Sequence, residues 1–369
     1  MDPIIAATHA DPYPYYAELR AAGGLTFHRE LKLWVASSAR AVYAVMAHTE
    51  CRVRPVQEPV PQAIAQGPAG VVFGQLMRMN DGAGHRCPRS AIEPTLGLIN
   101  ETDVQDLVAA RLFSADADGL YKAMFRGPAA VVATLLGFSP AQSRTISELT
   151  ADFVACLSPL SNELQIIAAH AAAAQLRGCF IELLADPVAQ SVLLRGITQR
   201  FEGDEDILLA NLIGLCSQTY DACAGLIGNA LVTLSRQPDL RGAPLEELLA
   251  EVQRFDPPVQ NTRRFVATCC DIDGMRLEAG DVIVLVLASA NRDPALNDQP
   301  ERFLLDRPNR RNFSFGSGRH ECPGQGLAMC IAAATLKEIL ASGLDLNCLS
   351  WSYRPSLNGR VPLFNLGGV

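Results

Sequence analysis

Apolar residues recur at intervals of three and four through the middle of the chain and alternate in short runs towards both ends. The first spacing predicts helices with one buried face; the second predicts half-buried strands. Between residues 103 and 201 the helical spacing is nearly continuous, carried by Val104, Leu107, Val108 and Leu112 and then by Val131, Val132, Leu135 and Leu136. Breaks are predicted at Gly137-Phe138-Ser139-Pro140 and around residues 157–161, followed by an alanine-rich helix over 163–184. Residues 206–234 hold no proline and are apolar around much of the helix circumference. At about 1.5 Å per residue this helix is roughly 40 Å long, and its composition places it through the middle of the protein. Its centre is polar: Ser217, Gln218, Thr219, Tyr220 and Asp221. A buried carboxylate is costly without partners, so this midpoint is a site, a satisfied internal network or an exposed face.

Shorter elements flank this helical region. A helix is predicted over 14–22, strands over 25–28 and 33–36, and a helix over 39–47 capped by Ser37 or Ser38. Residues 51–75, rich in Pro, Gln and Gly, read as a long irregular connection. His85 and Arg89 share one helix face at i, i+4, either as an anion clamp or as a solvated pair. Pro88 asks that this helix begin close to it. Glu251 and Arg254, at i, i+3 on a helix stopped by Asp256-Pro257-Pro258, read on spacing alone as an ordinary pair. A strand over 262–267, turns at Gly274 and Gly280, and a closing strand–loop–strand complete the pattern.

Composition narrows the possibilities. The chain has 369 residues and a formal charge of -8, which argues against nucleic-acid binding. The first twenty residues lack the basic and then apolar pattern of a signal peptide. No clean apolar run reaches the ~18–20 residues of a membrane span. The expectation is a cytoplasmic protein without membrane insertion, monomeric, with its eleven cysteines mostly reduced. Cys322 stands out. It lies among Gly316, Gly318, Gly324 and Gly326, with a helical pattern over 325–340 just downstream. Glycines permit close backbone approach, and a helix start favours a thiolate. The stretch therefore suits a sulfur presented to a metal or an electrophile.

The run from Phe315 to Gly324 reads Phe-Gly-Ser-Gly-Arg-His-Glu-Cys-Pro-Gly. It resembles the Phe-x-x-Gly-x-x-x-Cys-x-Gly motif of the cytochrome P-450 superfamily, in its soluble bacterial form. Other landmarks follow in the family's order: Glu251-Val252-Gln253-Arg254, Asn291 to Pro294, and Pro300-Glu301-Arg302-Phe303. The resemblance covers the whole chain and implies a mainly α fold with small β-sheets, as a single domain over residues 1–369. Its β-rich part would comprise roughly 24–56, 262–290 and 344–369, and its helical part roughly 85–255 and 322–341. It implies haem b, with Cys322 as the iron ligand and Phe315, Gly318 and Gly324 shaping the loop around the sulfur. The haem propionates would meet His85, Arg89, Arg264 and His320, which turns the His85–Arg89 pair into the clamp. Glu251, Arg254 and Arg302 would form a buried structural network.

The same resemblance implies a monooxygenase acting on a small to mid-sized, largely neutral molecule, such as a secondary-metabolite intermediate. Electrons would come from a separate ferredoxin or flavodoxin, docking near Arg307, Arg310, Arg311 and Arg319. One departure is expected to matter. The family's long helix usually carries a small residue, then an acid followed by threonine. Here the aligned positions are Gln218, Thr219, Tyr220, Asp221 and Ala222, so the acid is kept and the alcohol is lost. Asp221, Gln218, Thr219 and Ala222 are the candidate catalytic positions, with Thr219 able to replace the alcohol if the helix bulges locally. The alternatives are an enzyme using peroxide, substrate-assisted protonation, or a coupling or rearrangement, and, further off, a non-catalytic haem protein.

Overall fold

The computed structural model describes every residue except Leu112 and residues 367–369. The helical position expected for Leu112 lies outside the described residues. The chain divides into two compact units. The first comprises Met1–Gln57, Gly225–Cys322 and Asp345–Val369; the second comprises Glu58–Ala224 and Pro323–Leu344.

The first unit holds all the strands among the described residues. Five of them, β1 (Leu25–His28), β2 (Leu33–Ala36), β3 (Cys51–Arg52), β4 (Thr262–Val266) and β7 (Val282–Leu285), form one sheet in the order β1-β2-β7-β4-β3. Only the β2–β7 pairing is parallel, with Val35 opposite Val284. β2 is buried along its whole length, and its alternation explains how. Trp34 and Ala36 enter one core with Val42, Ile283 and Leu285. Leu33 and Val35 enter another with Tyr16, Val284 and Val286. A period of two thus serves two cores from one strand. β5 (Cys270–Ile272) and β6 (Met275–Leu277) form a hairpin whose turn places Asp273 and Gly274 at φ 53° and 80°. β8 (Leu349–Tyr353) pairs with β9 (Pro362–Leu366). The amino-terminal segment is tied down by Arg360, which donates to the carbonyls of Ala7, His9 and Ala10.

The second unit is helical. Helix Glu163–Ala185 packs on Pro140–Ala155, which packs on Gly127–Leu136; Gln325–Ala341 packs on Glu101–Ala109. The break at Gly137 has φ 122°, and Ser139 then forms a capping box with Gln142. Asn162 and Gln165 form a second one at the start of Glu163–Ala185. The long helix runs over Glu205–Arg236 without interruption. Residues up to 224 belong to the second unit and those from 225 to the first.

Three expectations are corrected here. The connection over 51–75 is not irregular throughout: it contains helices Gln62–Ala65 and Pro68–Gln75, the latter starting on its own proline. Pro88 does not mark a helix start. It lies inside Ala83–Leu96 together with Pro94, each omitting one backbone donor from the ladder. Helix Glu163–Ala185 is long and apolar enough, by length and mean hydropathy, to cross a membrane. Its Leu164 and Ile167 are exposed while Ala169, Ala172 and Ala173 are buried. Alanine raises its hydropathy through a close-packed face, while charged residues interrupt the apolar run.

Candidate haem-thiolate site

The cysteine loop is built by the first unit. Gly316 donates to the carbonyl of Phe313 (2.8 Å), Glu321 to that of Gly318 (3.0 Å), and Cys322 to that of Phe315 (2.7 Å). These bonds fold residues 313–322 back on themselves around Gly316 and Gly318, at φ 78° and 67°. A Cβ on Gly316 would lie 3.0 Å from the carbonyl oxygen of His320, so a side chain there would press on the turn that precedes the sulfur. A Cβ on Gly318 would meet nothing within 4 Å, yet its backbone still favours glycine.

The loop is pinned at its start by two asparagines that the sequence reading did not single out for this purpose. Asn291 accepts from the backbone N–H of Phe313 (2.7 Å) and donates to Ser314 Oγ (2.9 Å). Ser314 Oγ in turn donates to the carbonyl of Gln253 (2.5 Å). Asn297 accepts from the N–H of Arg311 (3.1 Å) and donates to its carbonyl (2.8 Å). Both asparagines are buried. Buried amides of this kind fix position because each unmade bond is expensive.

Glu251 organises the support beneath. Its carboxylate is fully buried and accepts from Arg254 Nη2 (2.7 Å), Arg307 Nε (3.0 Å), Arg310 Nε (2.9 Å) and the N–H of Leu304 (3.1 Å). Burial alone would raise its pKa, but the bonds and charge from Arg254, Leu304 and Arg307 outweigh that and hold it below the usual glutamate range. Arg302 is not a side-chain member of this network. Its guanidinium donates to Gln299, and only its carbonyl takes part, accepting from Arg254 (2.9 Å) and Arg307 (2.5 Å). The irregular chain after Pro300 turns the later arginines inward, which spacing cannot show. Arg307 and Arg310 are accordingly committed to Glu251 and do not form a docking patch. Arg311 and Arg319 are exposed, and Arg319 donates to the carbonyl of His48 (2.5 Å).

Among the expected propionate ligands, Arg264 and His320 both belong to the first unit. Arg264 lies on β4 and is buried, and His320 closes the short turn Gly318–His320, which packs on helix Ala39–Ala47. Burial pushes the nearby thiol of Cys51 up to about 12, while Arg264 and Arg319 oppose the shift. Cys51 pairs with Val266 of β4. His85 and Arg89 lie in the second unit on Ala83–Leu96, with His85 buried. Arg89 is held by Glu93 on the same helix through two nitrogens, at 2.9 and 2.6 Å. Gly324 precedes the helix Gln325–Ala341 and accepts from the N–H of Ala328 (2.9 Å).

The midpoint of the long helix opens within an otherwise buried element. Leu215, Gln218, Thr219, Asp221 and Ala222 are half-buried, whereas Leu212, Ile213, Cys216, Tyr220, Cys223 and Ala224 are buried. Positions 215, 218, 219 and 222 form one strip at i, i+3, i+4 and i+7. The helix is not bulged here, and Thr219 Oγ1 donates to the carbonyl of Leu215 (2.7 Å), so the hydroxyl is turned back on its own helix. Gln218 Oε1 accepts from Arg78 Nη1, a partner the sequence reading missed. Tyr220 faces another way, its hydroxyl 3.3 Å from that of Tyr121 and its ring tilted against Phe125 on a π-helical segment.

These residues fit a haem group. Among the described residues no cluster of three His, Cys, Asp or Glu side chains could hold a bare metal ion. Iron in a porphyrin brings its other ligands with it and asks the protein for a thiolate, a group that Cys322 carries. Within the first unit, the glycine-rich loop beside the sulfur and the buried Arg264 on β4 match such a macrocycle with acidic side arms.

Residues 244–342 match the family model described as Cytochrome P-450. The Biotin biosynthesis cytochrome P-450 of Bacillus subtilis is 26% identical over 249 residues, covering 63% of this chain and 62% of that one. Cytochrome P-450 144 of Mycobacterium tuberculosis is 31% identical over 228 residues, covering 58% and 52%. The chain thus spans less than two thirds of the length of these relatives. The fold extends further. The crystal structure of CalO2 superposes with a TM-score of 0.82 at 23% identity, covering 100% of this chain and 99% of the other. That of P450BioI in complex with an acyl carrier protein gives 0.81 at 21% identity, covering 96% and 97%. The chain is thus similar to cytochrome P-450 proteins over residues 244–342 and in part of the curated relatives' length, and it has the cytochrome P-450 fold.

Proposed function

We propose that this chain, as one cytochrome P-450 domain, is a haem-thiolate monooxygenase. The observation that carries the reading is the closed loop Phe313 to Cys322, whose hydrogen bonds and positive-φ glycines present one thiol. Haem, when bound, would supply oxygen activation made easier by thiolate donation to iron. Cys322 would hold the iron; Arg264, His320, His85 and Arg89 would neutralise the propionates; Phe315 would flank the sulfur. Asp221, half-buried and adjacent in sequence to Ala222 of the strip, would pass protons inwards. Ala222 brings no hydroxyl and Thr219 is bonded to its own helix, so a substrate group or an ordered water would complete the relay. Electrons would come from a separate ferredoxin or flavodoxin, and the substrate would be a small organic molecule. We propose a soluble, cytoplasmic protein that binds no nucleic acid.

A second reading is favoured by the same strip: peroxide use, or a coupling rather than an oxygen insertion. A structural neighbour, CxnD, with a TM-score of 0.76 at 20% identity, is described as an enzyme for C–S bond formation in chuangxinmycin biosynthesis. Turnover with a ferredoxin system against turnover with peroxide separates the two. Product formed only with peroxide would favour the second reading.

A further inference from the structure

We propose that the cleft between helices Pro140–Ala155 and Glu163–Ala185 binds a small organic cation that carries an apolar body. The inference goes beyond the monooxygenase reading and does not rest on it, because every residue it uses belongs to the second unit. The cleft has a volume of about 370 Å³, towards the small end of the roughly 300–1,000 Å³ of small-molecule sites. Its floor is apolar: Phe138, Ile146 and Leu183 line it and are otherwise buried. Phe138 is fixed there by an edge-on contact with Phe180, the ring centroids 5.0 Å apart. Its rim is anionic. Glu182 and Asp186 both line the cleft and are exposed, and no lysine, arginine or histidine lines it. Among the described residues neither carboxylate forms an ion pair.

The surroundings strengthen the negative potential. Both carboxylates stand at the carboxyl-terminal end of a 23-residue helix, where the backbone dipole also favours a cation. Asp186 caps that helix, and its Oδ1 accepts from the N–H groups of Val188 (3.0 Å) and Ala189 (3.3 Å), which holds the carboxylate in place. Burial, helped by the charge of Glu182, raises the pKa of the Cys179 thiol, so this wall of the cleft stays neutral. A metal ion does not suit the site. No group of three His, Cys, Asp or Glu side chains among the described residues could hold one, and an apolar floor offers a hard cation no oxygen ligands. An organic cation suits it. Its hydrocarbon part covers the floor, its charge meets Glu182 and Asp186, and Phe138 supplies the aromatic surface that ammonium groups favour.

Calorimetric titration of the haem-loaded protein with benzyltrimethylammonium tests this. A quaternary nitrogen has no free electron pair, so the probe does not ligate haem iron. One saturable site is expected, with a Kd of about 1 mM or tighter. Tetramethylammonium, which lacks the ring, and benzyl alcohol, which lacks the charge, should each bind about tenfold more weakly or not at all. In the double variant Glu182→Gln, Asp186→Asn the affinity for the cation falls about tenfold. An asparagine at 186 still accepts the two N–H groups of its turn, so the shape of the cleft is kept. Thr145→Arg places a cation on the exposed rim and abolishes binding, and it carries the test if the double variant does not fold. Absence of saturable binding to the native protein overturns the proposal. So does an affinity that survives in these variants, or benzyl alcohol binding as tightly as the cation.

Discussion

At the centre of the long helix the threonine and the position where its hydroxyl is expected do not coincide. Thr219 has the hydroxyl but donates it to Leu215 (2.7 Å), and Ala222, at the position after the acid, has none. Asp221, half-buried beside Ala222 in the sequence, is therefore the acid left at the helix centre. A positioned proton donor contributes about 10²–10⁴-fold to a rate. Asp221→Asn is expected to slow ferredoxin-driven turnover by about 10²-fold or more while leaving the carbon monoxide spectrum unchanged. Unaltered turnover would show that protons come by another path. Glycine positions give a sharper steric prediction. A Cβ on Gly225 would stand 2.6 Å from Pro258 Cβ and 3.2 Å from the carbonyl of Arg360. Gly225→Ala should lower the melting temperature, since overpacking costs roughly 1–3 kcal/mol; an unshifted melt would mean that the 258–360 contact yields freely.

Among the elements, the helix Leu245–Phe255 carries the heaviest structural duty, because Glu251 gathers Arg254, Arg307 and Arg310 on one carboxylate. Removing it leaves three cations without their common partner. Glu251→Gln is expected to destabilise the fold by about 3–5 kcal/mol, read by denaturant unfolding, or to prevent haem-loaded protein from accumulating. The sign of the pH effect follows from the depressed pKa. A carboxylate whose folded pKa lies below its unfolded value contributes stability above the unfolded value of about 4.3. That contribution is lost as pH falls through the folded one. Native stability should thus decline on acidification below about 4.3, and Glu251→Gln should flatten that decline; an identical acid slope in both proteins would contradict this account. Helix starts give a smaller, cleaner effect. Ser139→Ala breaks the capping box ahead of Pro140–Ala155 and should cost about 1 kcal/mol.

For the molecule as a whole, periodicity and capping made the elements legible. The strands at 25–28 and 33–36 and the helix at 39–47 have the bounds that alternation and Ser38 predict, and the long helix exceeds its predicted span by a few residues. The cysteine loop was legible because its chemistry is local: the glycines, the sulfur and the following helix lie within one short run of sequence. What stayed hidden is what depends on distant residues meeting. Arg302 was expected in the Glu251 network, and Arg307 and Arg310 are found there, because irregular chain after Pro300 decides which guanidinium turns inward. Arg78 and Gln218 are 140 residues apart, and neither position signals the other. Pro88 and Pro94 inside a helix show packing overriding a local preference.

The central claim is that Cys322 binds haem iron as a thiolate. The most direct measurement is the absorption spectrum of the purified, haem-loaded protein after reduction under carbon monoxide, beside that of Cys322→Ser. The account predicts the red-shifted Soret band of thiolate ligation in the native chain and its loss in the variant. A native spectrum without that band, or a band that persists in Cys322→Ser, would contradict it.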